Sequence, residues 1–101
     1  MRGRKVRLFL RLTLDVNERL RIIMRHRGDL SRCVDAALTS TDLGSIGLEP
    51  ITPGRSAPAL TAVISGRANA RIRSAAKQRG CSVTTLANSA LRKWLGDGNG
   101  Q

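Results

Sequence analysis

Tyrosine is absent from this 101-residue chain, and phenylalanine, tryptophan and histidine occur once each. Without tyrosine there is no phenolate nucleophile. A single imidazole gives neither a His pair for a metal nor a His-based triad with a spare base. Cysteine is scarce: Cys33 and Cys81 have no CxxC spacing and no His cluster, which argues against a zinc site. One disulfide is open to them, two reduced thiols in a cytoplasmic protein being the simpler expectation. No paired carboxylates stand near a nucleophile, so no enzyme is expected, and the residues imply no cofactor. No apolar run approaches the ~20 residues of a membrane span. The apolar stretch behind the basic N-terminus is broken by Arg7 and Arg11, which makes a poor signal peptide.

What is abundant is positive charge. Lys and Arg number 18 against 7 Asp and Glu, for a net charge of +11, and 15 of the 18 are Arg. A planar guanidinium engages phosphate in two-pronged fashion, so this surplus favours a phosphate-bearing partner. The charge is unevenly spread: residues 1–38 carry +6, residues 39–58 carry −1 and residues 59–101 carry +6. The middle stretch holds all three prolines, Pro50, Pro53 and Pro58, with Gly44, Gly47 and Gly54. Neither a long helix nor a central strand survives there, and the stretch reads as a linker that crosses some distance.

The two basic segments repeat one pattern. A shift of 52 lays Asn17 on Asn69, Arg19 on Arg71, Arg21 on Arg73, Arg27 on Arg79 and Gly28 on Gly80; beyond the glycine a shift of 53 pairs Leu30 with Val83, Cys33 with Leu86, Ala37 with Ala90 and Leu38 with Leu91. The first copy is therefore expected to be one residue shorter in its turn. Each copy opens with strict alternation. Val6, Leu8, Leu10 and Leu12 lie on one side of a predicted strand, and Arg7, Phe9 and Arg11 on the other. In the second copy Leu60, Ala62 and Ile64 point inward, with Ala59, Thr61 and Val63 outward.

Thr13 and Ser65 then stand where a helix N-cap is needed. The first helices carry the apolar faces Val16, Leu20, Ile23, Met24 and Ala68, Ile72, Ala75, Ala76. Gly28 and Gly80 are expected to end them, each behind an Arg that suits the negative helix end. Second helices start at Asp29 or Ser82 as N-cap. Their faces are Leu30, Cys33, Val34, Ala37, Leu38 and Val83, Leu86, Ala87, Ala90, Leu91, Trp94, Leu95. One strand with two helices cannot close its own core or protect its strand edges, whereas two copies can pair their strands antiparallel.

The stretches Leu10-Arg11-Leu12-Thr13, Asn17-Glu18-Arg19-Leu20, Arg27-Gly28, Gly80-Cys81-Ser82-Val83 and Ala90-Leu91 resemble the ribbon-helix-helix DNA-binding superfamily, over about four-fifths of the chain. The tandem form is similar to conjugation accessory proteins, most of all to VirC-type T-DNA transfer enhancers of tumour-inducing plasmids. The resemblance implies a mainly α fold with a two-stranded antiparallel ribbon, in which two fused ribbon-helix-helix units form one pseudo-twofold domain. Its parts would be a basic arm (1–4), a first unit (5–38), a linker (39–58), a second unit (59–95) and a flexible tail (96–101).

Such a ribbon enters the major groove, where base edges carry a distinct donor and acceptor code. The base-reading positions then fall on Lys5, Arg7, Phe9 and Arg11, and on Ala59, Thr61 and Val63. One strand is cationic and the other nearly neutral, so an asymmetric target is expected instead of an inverted repeat. Phe9 facing outward suits a thymine methyl, with packing beneath the linker as the alternative. The resemblance puts phosphate anchors at the starts of the second helices: Leu30, Ser31 and Arg32, and Ser82, Val83 and Thr84. Asp29 departs from that pattern. Arg2 and Arg4 form a basic arm with salt-sensitive affinity. The implied partner is double-stranded DNA, with a relaxase or nuclease complex and other transfer proteins beside it, and no membrane. The chain would act as a monomer whose repeats mimic a dimer. The alternatives are a transcriptional repressor or antitoxin-type autoregulator, and an interaction protein whose basic faces bind RNA, ribosomes or anionic lipid.

Overall fold

Alternating side chains build the two strands, β1 (Lys5–Leu10) and β2 (Leu60–Ser65). They pair antiparallel in a register that runs from Lys5 opposite Ser65 to Leu10 opposite Leu60. The computed structural model describes residues 5–24, 26, 28–48 and 59–97. Arg2, Arg4, Arg27, the three prolines and the last four residues lie outside them, as does the side chain of Leu60. Four helices complete the chain in the order β1-α1-α2-β2-α3-α4: α1 (Leu14–Ile23), α2 (Asp29–Ser40), α3 (Gly66–Arg79) and α4 (Val83–Gly96).

Leu8, Leu10, Ala62 and Ile64 on one side of the ribbon are buried, as the alternation requires. Leu12 is equally buried although β1 stops at Leu10. The backbone at Arg11 and Thr13 is bonded there by the Asn88 side chain. The helices cover the inner side of the ribbon with Val16, Leu20, Val34, Leu38, Ile72, Leu86 and Leu91. The contacts run across the sequence halves: α1 packs on α4, and α2 packs on α3, α4 and β2.

Helix ends depart from expectation in the first half. Ser65 caps α3, its hydroxyl accepting the Ala68 N–H at 3.1 Å, and Ser82 caps α4 by accepting the Thr85 N–H at 3.1 Å. Thr13 occupies the corresponding cap position of α1, but its hydroxyl donates to Asp15 Oδ1 at 2.6 Å instead. Gly80 ends α3 in the left-handed region (φ 66°), where a side chain would be strained. Gly28 does not end α1. That helix stops at Ile23, and Gly28, at φ 96°, is the N-cap of α2. Asp29 is therefore the first residue of α2 and not its cap; its carboxylate accepts the His26 N–H at 2.8 Å, which fixes the turn in front of it. The turn of the first copy is thus not the shorter one: α1 has 10 residues against 14 in α3, and the connection 24–28 is longer than 80–82. The β-branched pair Ile22-Ile23 propagates a helix less well than the Ala75-Ala76 of α3.

Residues 39–48 of the expected linker are packed. Thr39 and Ser40 finish α2, and Leu43 and Ile46 are buried in the core. Asp42 shapes the turn, accepting the Ser45 hydroxyl at 2.6 Å and the Gly44 N–H at 3.1 Å; these bonds hold its carboxyl below the usual range. Two arginines of α3 donate into this region. Arg71 reaches the carbonyls of Leu38 (3.0 Å) and Thr41 (3.1 Å), while Arg79 reaches those of Leu43 (3.2 Å) and Ile46 (2.6 Å). Arg79 therefore ties down the turn and not the end of its own helix. Replacing Arg79 with alanine leaves two carbonyls short of a charged donor. The expected loss is about 1–3 kcal/mol of unfolding free energy in urea titration, against no more than about 0.5 kcal/mol for Lys77→Ala on an exposed position.

The halves are also joined by charge. Arg92 of α4 binds Asp15 of α1 through Nε (2.9 Å) and Nη2 (3.1 Å). The Arg92 guanidinium beside Asp15 brings its carboxyl down to about 2 from an ordinary 3.8, against a smaller opposing effect of burial. A depressed carboxylate pKa adds stability that is complete above the unfolded value and disappears as pH falls through the folded one. Acid unfolding between about pH 4 and pH 2 is therefore expected to lessen in Asp15→Asn, relative to that variant's own stability at neutral pH, as a circular-dichroism titration would report.

Candidate nucleic-acid interface

Residues paired across an antiparallel ribbon share a face. Lys5 lies opposite Ser65, Arg7 opposite Val63 and Phe9 opposite Thr61. Lys5, Arg7, Phe9, Thr61 and Val63 are exposed, with Phe9 at 71% and Val63 at 43%. Ala59 and Arg11 are exposed just outside the strands. Among the described residues none covers Phe9, and linker residues 49–58, the cover expected in the alternative reading, lie outside them.

The arginines fall into two groups. Arg71, Arg79 and Arg92 serve the packing described above, Arg73 donates to Asn69 Oδ1 at 2.9 Å, and Arg32 pairs with Asp29. The side chains of Lys5, Arg7 and Arg11 have no hydrogen bond or ion pair among the described residues. Arg19, Arg21, Arg67 and Lys77 share that freedom on exposed helix surfaces. Only on the ribbon do such cations flank an exposed aromatic ring. Arg7 and Arg11 are four residues apart, roughly 13 Å of extended chain, so the two guanidinium groups address separate points along any ligand. β2 carries no charged residue at all.

The helix starts expected to anchor phosphate are less alike than their sequences. At α2, Leu30 is half-buried against the core, the Arg32 guanidinium is engaged by Asp29, and the Ser31 hydroxyl accepts the Val63 N–H at 2.9 Å. Ser31 thereby joins the helix to the edge of the ribbon. At α4 the Ser82 hydroxyl is the cap, Val83 packs against the core, and the Thr84 carbonyl accepts Asn88 Nδ2 at 2.8 Å.

Asn88 and Asp35 were not singled out as site residues in the sequence, yet they hold the ribbon ends. Asn88 takes the Thr13 N–H on Oδ1 at 2.8 Å, and Asp35 takes the Ser65 N–H on Oδ2 at 2.6 Å. The repeat could have revealed them: the acceptors are related by the shift of 53 and the donors by the shift of 52.

Cys33 and Cys81 are free and half-buried, and burial pushes the Cys33 thiol up. Among the described residues no group of three or more His, Cys, Asp or Glu is placed to hold a metal, and no helix is long and apolar enough to cross a membrane. Neither a protein family, nor a curated protein, nor a solved structure matches the chain.

Proposed function

We propose that the chain binds double-stranded DNA, with the outer face of the ribbon in the major groove. One observation carries this reading: Lys5, Arg7 and Arg11, on β1 and just past its end, have side chains unpaired among the described residues and flank the exposed Phe9, while Arg71, Arg79 and Arg92 are spent on internal contacts. A two-stranded ribbon fits the major groove, guanidinium groups bind guanine O6 and N7 in two-pronged fashion, and Phe9, Thr61 and Val63 suit thymine methyls. The unit would be a pseudo-twofold pair of ribbon-helix-helix repeats. Supporting it, Phe9 pairs with Thr61, its own counterpart under the shift of 52.

Because the two strands of that ribbon differ in charge, the target would be asymmetric. Selection of binding sites from random duplexes tests this directly. An enriched site with one guanine-containing side and no inverted repeat is the expected result; an inverted repeat overturns the asymmetry, and enrichment of nothing overturns base reading. The biological role that accompanies the resemblance is an accessory function at a transfer origin or border, assisting a relaxase or nuclease complex. Footprinting on such a fragment and on the protein's own promoter separates this role from a repressor's: protection of the promoter alone rejects it.

A further inference from the structure

Arg11 lies beyond the last strand pair of the described residues, Leu10 with Leu60. Among those residues it is Asn88 of α4 that holds the backbone there. This side chain is 1% exposed. Its Nδ2 donates to the Arg11 carbonyl at 3.0 Å while its Oδ1 accepts the Thr13 N–H at 2.8 Å. A neighbouring strand would offer one donor and one acceptor to these same groups; the carboxamide offers both. The amide is itself anchored, since Nδ2 also donates to the Thr84 carbonyl at 2.8 Å one turn back in α4. Thr13 is accordingly extended, at φ −71° and ψ 157°.

The other ribbon end has a carboxylate in this place. Asp35 accepts the Ser65 N–H at 2.6 Å and the Ser65 hydroxyl at 3.4 Å, and an ionised carboxylate donates nothing. The amide thus stands where the outward residue is Arg11, and the carboxylate where it is Val63. A guanidinium aimed at one base pair needs a fixed backbone, whereas an aliphatic contact is tolerant of small displacements.

We propose that Asn88 is the positioning residue for Arg11, holding the 11–13 backbone extended so that this guanidinium addresses a single base pair. The proposal rests on the DNA reading above and deepens it. The test uses the duplex recovered by selection and every single base-pair change in it. Arg11→Ala and Arg7→Ala first identify which base pairs each arginine discriminates. Asn88→Asp keeps the shape but turns an oxygen toward the Arg11 and Thr84 carbonyls; Asn88→Ala removes the amide without adding charge. In both variants the penalty at the Arg11-dependent base pair is expected to fall from roughly tenfold or more to about twofold, with the Arg7-dependent penalty kept. A purely structural Asn88 would lower melting temperature and weaken all duplexes alike, and that pattern overturns the proposal.

Amide exchange of the free protein is the second measurement. Thr13 N–H is expected to exchange roughly tenfold faster in Asn88→Ala and to stay protected in Asp35→Asn, which also keeps the Arg11-dependent penalty. Unchanged Thr13 protection in Asn88→Ala overturns the proposal without any reference to DNA. Absence of base preference in the unaltered chain instead overturns the DNA reading, and with it the role given to Arg11.

Discussion

Arg7→Ala and Arg11→Ala are each expected to weaken binding to the selected duplex by about 10–100-fold, whereas Arg73→Ala changes it by no more than about twofold. All three remove one positive charge from an exposed position. They differ in what the guanidinium does: Arg73 is bound to Asn69 on α3, while Arg7 and Arg11 stand on the ribbon without partners among the described residues. Fluorescence anisotropy at one fixed salt concentration is the appropriate measurement, because a chain of net charge +11 binds any duplex more tightly as salt falls. Equal losses in the three variants would mean that bulk charge alone attracts DNA. A second discriminating feature is position: Arg7→Ala and Arg11→Ala should relax preference at different base pairs, as their separation along the strand requires.

Ile72→Ala is expected to lower the unfolding free energy by about 2–5 kcal/mol, while Ile22→Ala stays within about 0.5 kcal/mol. The same atoms are deleted in both. Ile72 is fully buried beneath the ribbon on α3, whereas Ile22 is 79% exposed on α1. For a chain of this size each kcal/mol moves the melting temperature by roughly 4–8 °C, so the first variant should melt many degrees lower and the second near the unaltered chain. Two similar melting temperatures would mean that the packing of α3 on the ribbon is not as described. The contrast also fixes the polarity of α1, whose outward Leu14 and Ile22 contribute little to the core.

Much of this arrangement is legible in the residues. Alternation through Val6–Leu12 gives the strand and its inner and outer sides, because only a period of two places Leu8 and Leu10 together and Arg7 and Phe9 opposite them. The repeat gives the second strand and the helix faces. What escapes is mostly the work of side chains on backbone. Nothing in local propensity says that the Thr13 hydroxyl serves Asp15, that Gly28 opens α2 instead of closing α1, or that Arg79 reaches across to Leu43 and Ile46. Polar caps compete with alternatives of nearly equal energy, and tertiary neighbours decide among them. Residues 43–46 illustrate a further limit. Two apolar residues within a glycine-rich, polar stretch look like loop, and only the core assembled from both halves makes burial of Leu43 and Ile46 worthwhile. The ribbon face was readable; the clamps at its ends were not, because Asp35 and Asn88 resemble ordinary polar positions on amphipathic helices.

The exchange of those clamps, with α4 holding the exit of β1 and α2 holding the exit of β2, has a consequence for how the chain is born. A ribosome delivers β1, α1 and α2 well before β2 emerges, and until then β1 has a bare hydrogen-bonding edge. Native structure waits on closure from Leu10 to Leu60, a distant contact whose entropy must be met before helix docking repays it. Folding of this small, mostly helical protein is therefore expected to be limited by strand meeting instead of by helix growth, with the nascent first half the stage most in need of protection from other chains.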